Sequence, residues 1–167
     1  MRDNLKLRRK LAFRAAEHQL IFVKKTMERR AHVLMKAFLW ALYLPDYPTL
    51  RVERRIRDRY KPDLVAFDED QSRDPAPLFW GEAGHVGAAK MKAILRRYPR
   101  THFVFARWNT SLRPYQQMAE RALKKTRRTA PIEFIQFPSD AEFRYIRPDG
   151  DITISMDDVN RIVMPPH

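Results

Sequence analysis

Two carboxylates stand where this chain can do chemistry. Asp63 follows Pro62 directly and opens the run Asp63-Leu-Val-Ala-Phe67, and Glu82 closes the run that begins Leu78-Phe-Trp80. Each run reads as a short strand, and the polar stretch from Asp68 to Pro77 between them reads as a hairpin loop. Antiparallel neighbours joined in this way bring the start of the first strand alongside the end of the second. The two carboxylates are therefore expected to meet at one sheet edge. Two oxygen donors side by side, with positions left for water and a phosphate, suit Mg2+ or Mn2+. A cation so held binds a phosphodiester oxygen and acidifies an attacking water.

An amine beside such a site would orient the water or stabilise developing charge. After Gly87, Met91, Ile94, Leu95 and Tyr98 share one helical face, and Pro99 ends the segment. A rotation of about 100° per residue places Lys90 with Arg97 on one flank of that face and Lys92 with Arg96 on the other. Lys90, nearer the helix start, is the preferred partner and Lys92 the alternative. Both also fit as solvated helix edges.

Other polar residues are weaker candidates. His85 sits close to Glu82, but a lone turn histidine is more often incidental. Asp68, Glu69 and Asp70 crowd carboxylates without the spacing of a calcium loop, as a solvated hairpin tip would. Trp40 and Trp80 lie in apolar segments and read as core, whereas Trp108, beside Arg107, reads as the surface aromatic able to stack on a base. The run Lys124-Lys-Thr-Arg-Arg128 reads as a charged helix end favoured by the dipole, with a phosphate track as the alternative. No Gly-x4-Gly-Lys-Ser/Thr loop is present, which argues against transfer of phosphate from ATP.

The surrounding elements must position these groups. Lys10–Ala15 and Gln19–Lys24 read as a strand pair, and Thr26 as the cap of a helix reaching about Tyr43, where Pro45 and Pro48 stop it. Arg51–Ile56 is a further strand, sparing in apolar residues. Beyond the segment after Gly87 come a buried strand at Thr101–Ala106, an amphipathic helix at about 113–125 and a strand at Ile132–Phe137. Phe143–Ile154 reads as a hairpin turning at Pro148-Asp-Gly150. From Thr26 to Ala106 the order is α-β-β-β-α-β, which favours an α/β fold with a mixed sheet and helices on its faces.

The 167 residues suit one domain, with the N-terminal strands at 10–24 and the core at about 26–137. A 44% apolar content supports a folded core. Thirty-three Lys and Arg against twenty Asp and Glu leave a charge of +13, which attracts polyanions and makes DNA or RNA the first candidate partner. The absence of cysteine removes disulfides, thiol nucleophiles and Cys-containing zinc sites, and is compatible with a cytoplasmic location. Ala37–Leu44, the longest strongly apolar run, falls far short of the roughly 20 residues of a membrane span. No signal peptide or membrane association is expected.

Lys61-Pro-Asp63, with Glu82 nineteen positions later inside this order of elements, resembles the PD-(D/E)xK nuclease-like superfamily. Nearly the whole chain is similar to its YaeQ family, through Met27-Glu-Arg-Arg-Ala-His32, Leu39-Trp-Ala-Leu-Tyr43, the Pro62-Asp63 strand, Leu78–Gly84 and the basic helix after it. The resemblance implies a restriction-endonuclease-like core with Asp63 and Glu82 as metal ligands. It also implies the Ala83 carbonyl as a third ligand and Glu28 as an accessory acid. The superfamily's lysine two positions after the glutamate is replaced by Gly84, as in YaeQ-like sequences. The expected function is a metal-dependent nuclease or nuclease-like protein; the alternatives are a non-catalytic nucleic-acid-binding protein and a protein-interaction adaptor.

Overall fold

The computed structural model describes residues 9–68 and 76–167, so Glu69, Asp70 and most of the expected hairpin loop lie outside the described residues. β1 (Arg9–Ala15) and β2 (His18–Lys24) form an antiparallel hairpin of their own. Ala16 and Glu17 turn it with φ of 46° and 66°, the left-handed pair that a two-residue hairpin loop requires. Alternation then sends Phe13, Ala15, Phe22 and Lys24 inward and their neighbours to solvent.

Beneath the hairpin runs α1 (Arg30–Tyr43), buried from Val33 through Trp40 and beyond. Such a helix is apolar nearly all round because it is covered twice. Phe22 meets Trp40 edge-on at 6.3 Å on the hairpin side, and Phe38 packs on Phe137 at 5.2 Å on the sheet side. Thr26 does not cap it. Met27 takes φ 67°, the chain turns with the Glu28 amide donating to the Lys25 carbonyl, and the helix starts only after Arg29.

The main sheet has the order β3-β4-β5-β6-β7-β8. Its strands are β3 (Arg51–Val52), β4 (Leu64–Ala66), β5 (Phe79–Ala83), β6 (His102–Trp108), β7 (Ile132–Phe137) and β8 (Asn160–Met164). β5, β6 and β7 are parallel to one another, while β3, β4 and β8 add antiparallel edges. The parallel strands are joined by α2 (Ala88–Arg97) and α3 (Arg113–Ala122). Phe79, Val104, Ala106, Ile135 and Phe137 pack with α1 on one face. Trp80, Phe103, Phe105, Ile132 and Phe134 pack with α2 and α3 on the other. Covered on both faces, β6 reads as an unbroken apolar run, as buried parallel strands do. Among the described residues no helix is long and apolar enough to cross a membrane.

Two segments differ from expectation. Residues Ala141–Tyr145 form the short helix α4, and the hairpin shrinks to a single bridge between Ile146 and Ile152 around the turn at Pro148-Asp-Gly150. Asn160–Met164, expected as no element, is the edge strand β8. Arg51–Ile56 contributes only two ladder residues, because Glu53 turns out of the strand with φ 60°.

The turn at 150 fastens the hairpin to the rest of the chain. The Arg14 amide donates to the Gly150 carbonyl at 2.9 Å and the Ile152 amide to the Arg14 carbonyl at 2.8 Å. Gly150 has φ 89°, and a Cβ there would lie 2.4 Å from the Ala12 carbonyl oxygen. Both conformation and space therefore demand glycine. Gly150→Ala should destabilise the fold by roughly 2 kcal/mol or more, read as a lowered urea midpoint.

On the α1 face of the sheet, opposite the face that carries Glu82, Glu133 is 4% exposed and fully engaged. Its Oε2 accepts from Tyr43 at 2.7 Å and from Arg161 at 2.8 Å, and its Oε1 meets His102 Nε2 at 2.9 Å. Burial disfavours the carboxylate, but the bonds from His102, Arg161 and Tyr43 outweigh it and hold the group down at about 2. The stabilisation is present above the ordinary glutamate range and is lost as pH falls toward 2. Wild-type stability should drop by on the order of 2 kcal/mol between about pH 4.5 and 2 from this group. In Glu133→Gln the acid limb of a stability-against-pH curve should be correspondingly shallower.

Candidate active site

β4 and β5 pair antiparallel with Leu64 opposite Gly81, which sets Asp63 opposite Glu82 as the strand reading expects. The Asp63 amide donates to the Gly81 carbonyl at 3.2 Å. In return, the Ala83 amide donates to Asp63 Oδ2 at 2.8 Å. Asp63 is thus locked to the end of β5 by two backbone contacts, and Ala83 ends that strand beside it.

Glu82 lies within β5, and its side chain is 5% exposed. Oε1 accepts from the Trp80 indole at 2.8 Å and lies 2.9 Å from Lys90 Nζ. Burial pushes its carboxyl up to about 7 and the Asp63 charge adds to the rise, while Lys90 and Trp80 pull the other way. Lys90 therefore faces the pair, its ammonium also lying 5.6 Å from the Tyr60 ring centre. Lys92 does not: it is exposed and lines a cleft between α2 and α3 with Pro114, Met118 and Arg121. The sequence left this choice open because the two lysines flank Met91 symmetrically, and the packing of α2 decides it.

Glu28 reaches the pair only through a histidine. His32 Nδ1 lies 2.5 Å from Glu28 Oε2, and His32 Nε2 lies 3.6 Å from Asp63 Oδ2. Burial opposes a charge on His32, but its bonds to Asp63 and Glu28 prevail and raise it to about 9, so it is a cation at neutral pH. Glu28 is also bonded by Lys36 Nζ at 2.7 Å and by the Lys25 amide at 2.9 Å. Against the cost of burial, the bonds from His32, Lys36 and Lys25 keep it down at about 2. Its oxygens are taken up within the protein.

Lys36, 1% exposed, also donates to Glu53 Oε1 at 2.6 Å. Glu53 Oε2 in turn receives Lys61 at 2.8 Å and Lys25 at 2.9 Å. His32, Lys36 and Glu53 were not singled out in the sequence. The available signal was the spacing of His32 and Lys36 by four, which puts them on one face of α1, with Glu28 four residues ahead of His32 in the turn before the helix.

The remaining candidates separate clearly. His85 is exposed and its Nδ1 meets the Tyr115 hydroxyl at 3.0 Å. Trp108 is no surface platform: it is partly buried and stacked with Phe38 at 6.4 Å. Arg128 does not extend a phosphate track, because its guanidinium donates to the carbonyls of Leu95, Tyr98 and Thr101. Gly84, with φ 91°, has the left-handed backbone that a lysine would adopt only with strain. The amine beside Glu82 therefore comes from α2.

Two carboxylates on one edge can hold a hexacoordinate cation that keeps several waters. Asp63 Oδ1 and Glu82 Oε2 accept no hydrogen bond among the described residues, and neither is an orphaned buried atom, so both open to solvent. This donor set fits Mg2+ or Mn2+ with water completing the shell. Among the described residues, no group of three or more His, Asp or Glu is arranged to hold a metal ion.

The fold is that of the YaeQ proteins. Similar crystal structures include the YaeQ protein from Xanthomonas axonopodis pv. citri, at TM-score 0.57 and 15% identity over 95% of this chain and 94% of that one. YaeQ protein from Pseudomonas syringae is similar at TM-score 0.57 and 18% identity, over 95% of this chain and 91% of that one. No protein-family model and no curated protein matches the chain.

The electrostatics give a direct test. A carboxyl 13C titration should place the Glu82 midpoint near 7. Asp63→Asn should move that midpoint down by removing a like charge, and Lys90→Met should move it up. A Glu82 midpoint at the ordinary glutamate value in wild type would contradict the buried geometry.

Proposed function

We propose that this chain is a YaeQ-like member of the PD-(D/E)xK nuclease-like superfamily, a metal-dependent hydrolase of nucleic-acid phosphodiesters with Asp63, Glu82 and Lys90 as its working groups. The observation that carries the reading is the contact of Lys90 with Glu82 at 2.9 Å beside Asp63. It places an amine against a carboxylate pair although the motif position after Glu82 holds glycine.

Asp63 and Glu82 would hold Mg2+ or Mn2+ through Oδ1 and Oε2, with the Ala83 carbonyl as a further donor. When bound, the cation lowers the pKa of a water and polarises a phosphoryl oxygen. The protein groups divide the remaining work. Lys90 stabilises negative charge that develops on the phosphate, a preorganised contribution because Glu82 and the Tyr60 ring already fix its ammonium. His32, cationic and tied to Glu28, serves as a positioning residue that orients Asp63. A net charge of +13 draws the polyanionic substrate, DNA or RNA.

A second reading, a nucleic-acid-binding protein without catalysis, is favoured by one feature. Both acids already face cations of the protein, Lys90 for Glu82 and His32 for Asp63, so the pair is electrically compensated without a metal.

Cleavage of end-labelled single- and double-stranded DNA and RNA decides between the two. With Mg2+ or Mn2+ the wild type should cut at least one substrate and EDTA should stop it. Asp63→Asn and Glu82→Gln should each lower the rate by roughly 100-fold or more, and Lys90→Met should lower kcat more than it weakens metal affinity. Absence of divalent-dependent cleavage on every substrate, with salt-sensitive binding retained, would establish the binding reading instead.

A further inference from the structure

Among the described residues, the buried side-chain nitrogens without a hydrogen-bond partner are Nε of Arg107 and Nε of Arg128, and the two residues are in opposite situations. Arg128 spends its guanidinium on three backbone carbonyls. The Arg107 side chain makes no hydrogen bond and no ion pair among the described residues, and its guanidinium carbon lies 4.8 Å from the centre of the Tyr115 ring. Its terminal nitrogens are not orphaned buried atoms, so they face solvent. A half-buried cation whose stem is fixed on an aromatic face, and whose fork is held open, is a preorganised receptor for an oxyanion.

Its place in the sheet says which oxyanion. Phe103 and Phe105 face α2 and α3, so alternation puts Arg107 on the same face, as it does Glu82 after Trp80. Phe105 is the registered partner of Glu82, and Arg107 stands two residues further along β6, about 7 Å beyond it. Tyr115, which carries the Arg107 stack, also holds His85 Nδ1 at 3.0 Å. A Tyr115 hydroxyl that donates to Nδ1 leaves the imidazole proton on Nε2, free to be offered outward. Two donor groups on either side of one tyrosine thus border the carboxylate pair at the C-terminal ends of β5 and β6, the usual ligand position of parallel sheets.

We propose that Arg107 and His85, set on either side of Tyr115, form a phosphate-binding subsite that holds a backbone phosphate of the nucleic acid next to the one at Asp63 and Glu82. The subsite deepens the functional reading above and rests on it for the identity of the ligand, but it needs no metal and no catalysis. Arg107 is a binding residue, not a catalytic one.

The experiment is fluorescence anisotropy with a labelled single-stranded oligonucleotide in EDTA, over a range of salt. Arg107→Gln should weaken binding by roughly tenfold and reduce the log affinity–log salt slope by about 0.7, the share of one phosphate contact. Arg107→Lys, which keeps the charge but loses the fork, should fall between that variant and wild type, and His85→Gln should weaken binding by a smaller factor. Lys10→Gln, an exposed hairpin cation, should change affinity by less than about twofold at this scale. Thermal melts of each variant identify any loss caused by unfolding, and Arg107→Lys then carries the comparison. Wild-type affinity and slope in Arg107→Gln, or no binding by the wild-type protein at low salt, would overturn the subsite. A protein that binds through Arg107 but never cleaves would leave the subsite standing while the hydrolytic reading fell. One that cleaves normally without Arg107 would do the reverse.

Discussion

The site depends on a single buried ammonium. Lys36 is 1% exposed near the middle of α1, and its Nζ lies between Glu28 at 2.7 Å and Glu53 at 2.6 Å. An unpaired charge at that depth would cost several kcal/mol, so the two carboxylates must be present for α1 to lie where it does. Through Glu28 the same ammonium sets His32, and through His32 it sets Asp63. Through Glu53 it draws in Lys61, directly ahead of Pro62, and Lys25, at the end of the hairpin. Charges of alternating sign thus fasten α1, β3 and the entrance of β4 around the acids, where an apolar contact would fix distance but not the protonation state.

Much of this was legible in the residues, and the failures have physical reasons. The carboxylate pair was readable because a strand, a polar loop and a second strand leave little freedom in where Asp63 and Glu82 meet. The interior strands announced themselves through unbroken apolar runs such as His102-Phe-Val-Phe-Ala106. β8 did not, because Asn160-Arg-Ile-Val-Met164 is an edge with its side chains largely in contact with solvent, and its pairing with β7 is a long-range event. The start of α1 was misplaced because Thr26 has the chemistry of a cap, whereas the positive φ of Met27 reverses the chain before the helix can begin.

Charge was the least legible quantity. The excess of lysine and arginine is visible at once, but the sequence does not say which cations are already spent. Lys36, Arg128 and Lys61 serve the protein's own carboxylates and carbonyls. Arg107 and Lys92 have no acid partner among the described residues, and both stand on the side of the sheet that carries α2 and α3. Trp108, the aromatic beside Arg107 in the chain, has the chemistry of a stacking platform, yet alternation along β6 turns Trp108 into the α1 core and Arg107 toward the opposite face.

The hairpin's attachment at Gly150 bears on how the chain is made. β1 and β2 leave the ribosome well over a hundred residues before the turn that receives Arg14 and Ala12. Until then Phe13 and Phe22 have only α1 to cover them, and the outer edge of β1 has unpaired backbone groups. During synthesis this part of the protein is an open strand edge with a greasy underside, the kind of surface that recruits chaperones or pairs with a neighbouring nascent chain. The late glycine turn closes that window, so any delay in producing or placing it prolongs the period in which the newborn protein is prone to aggregate.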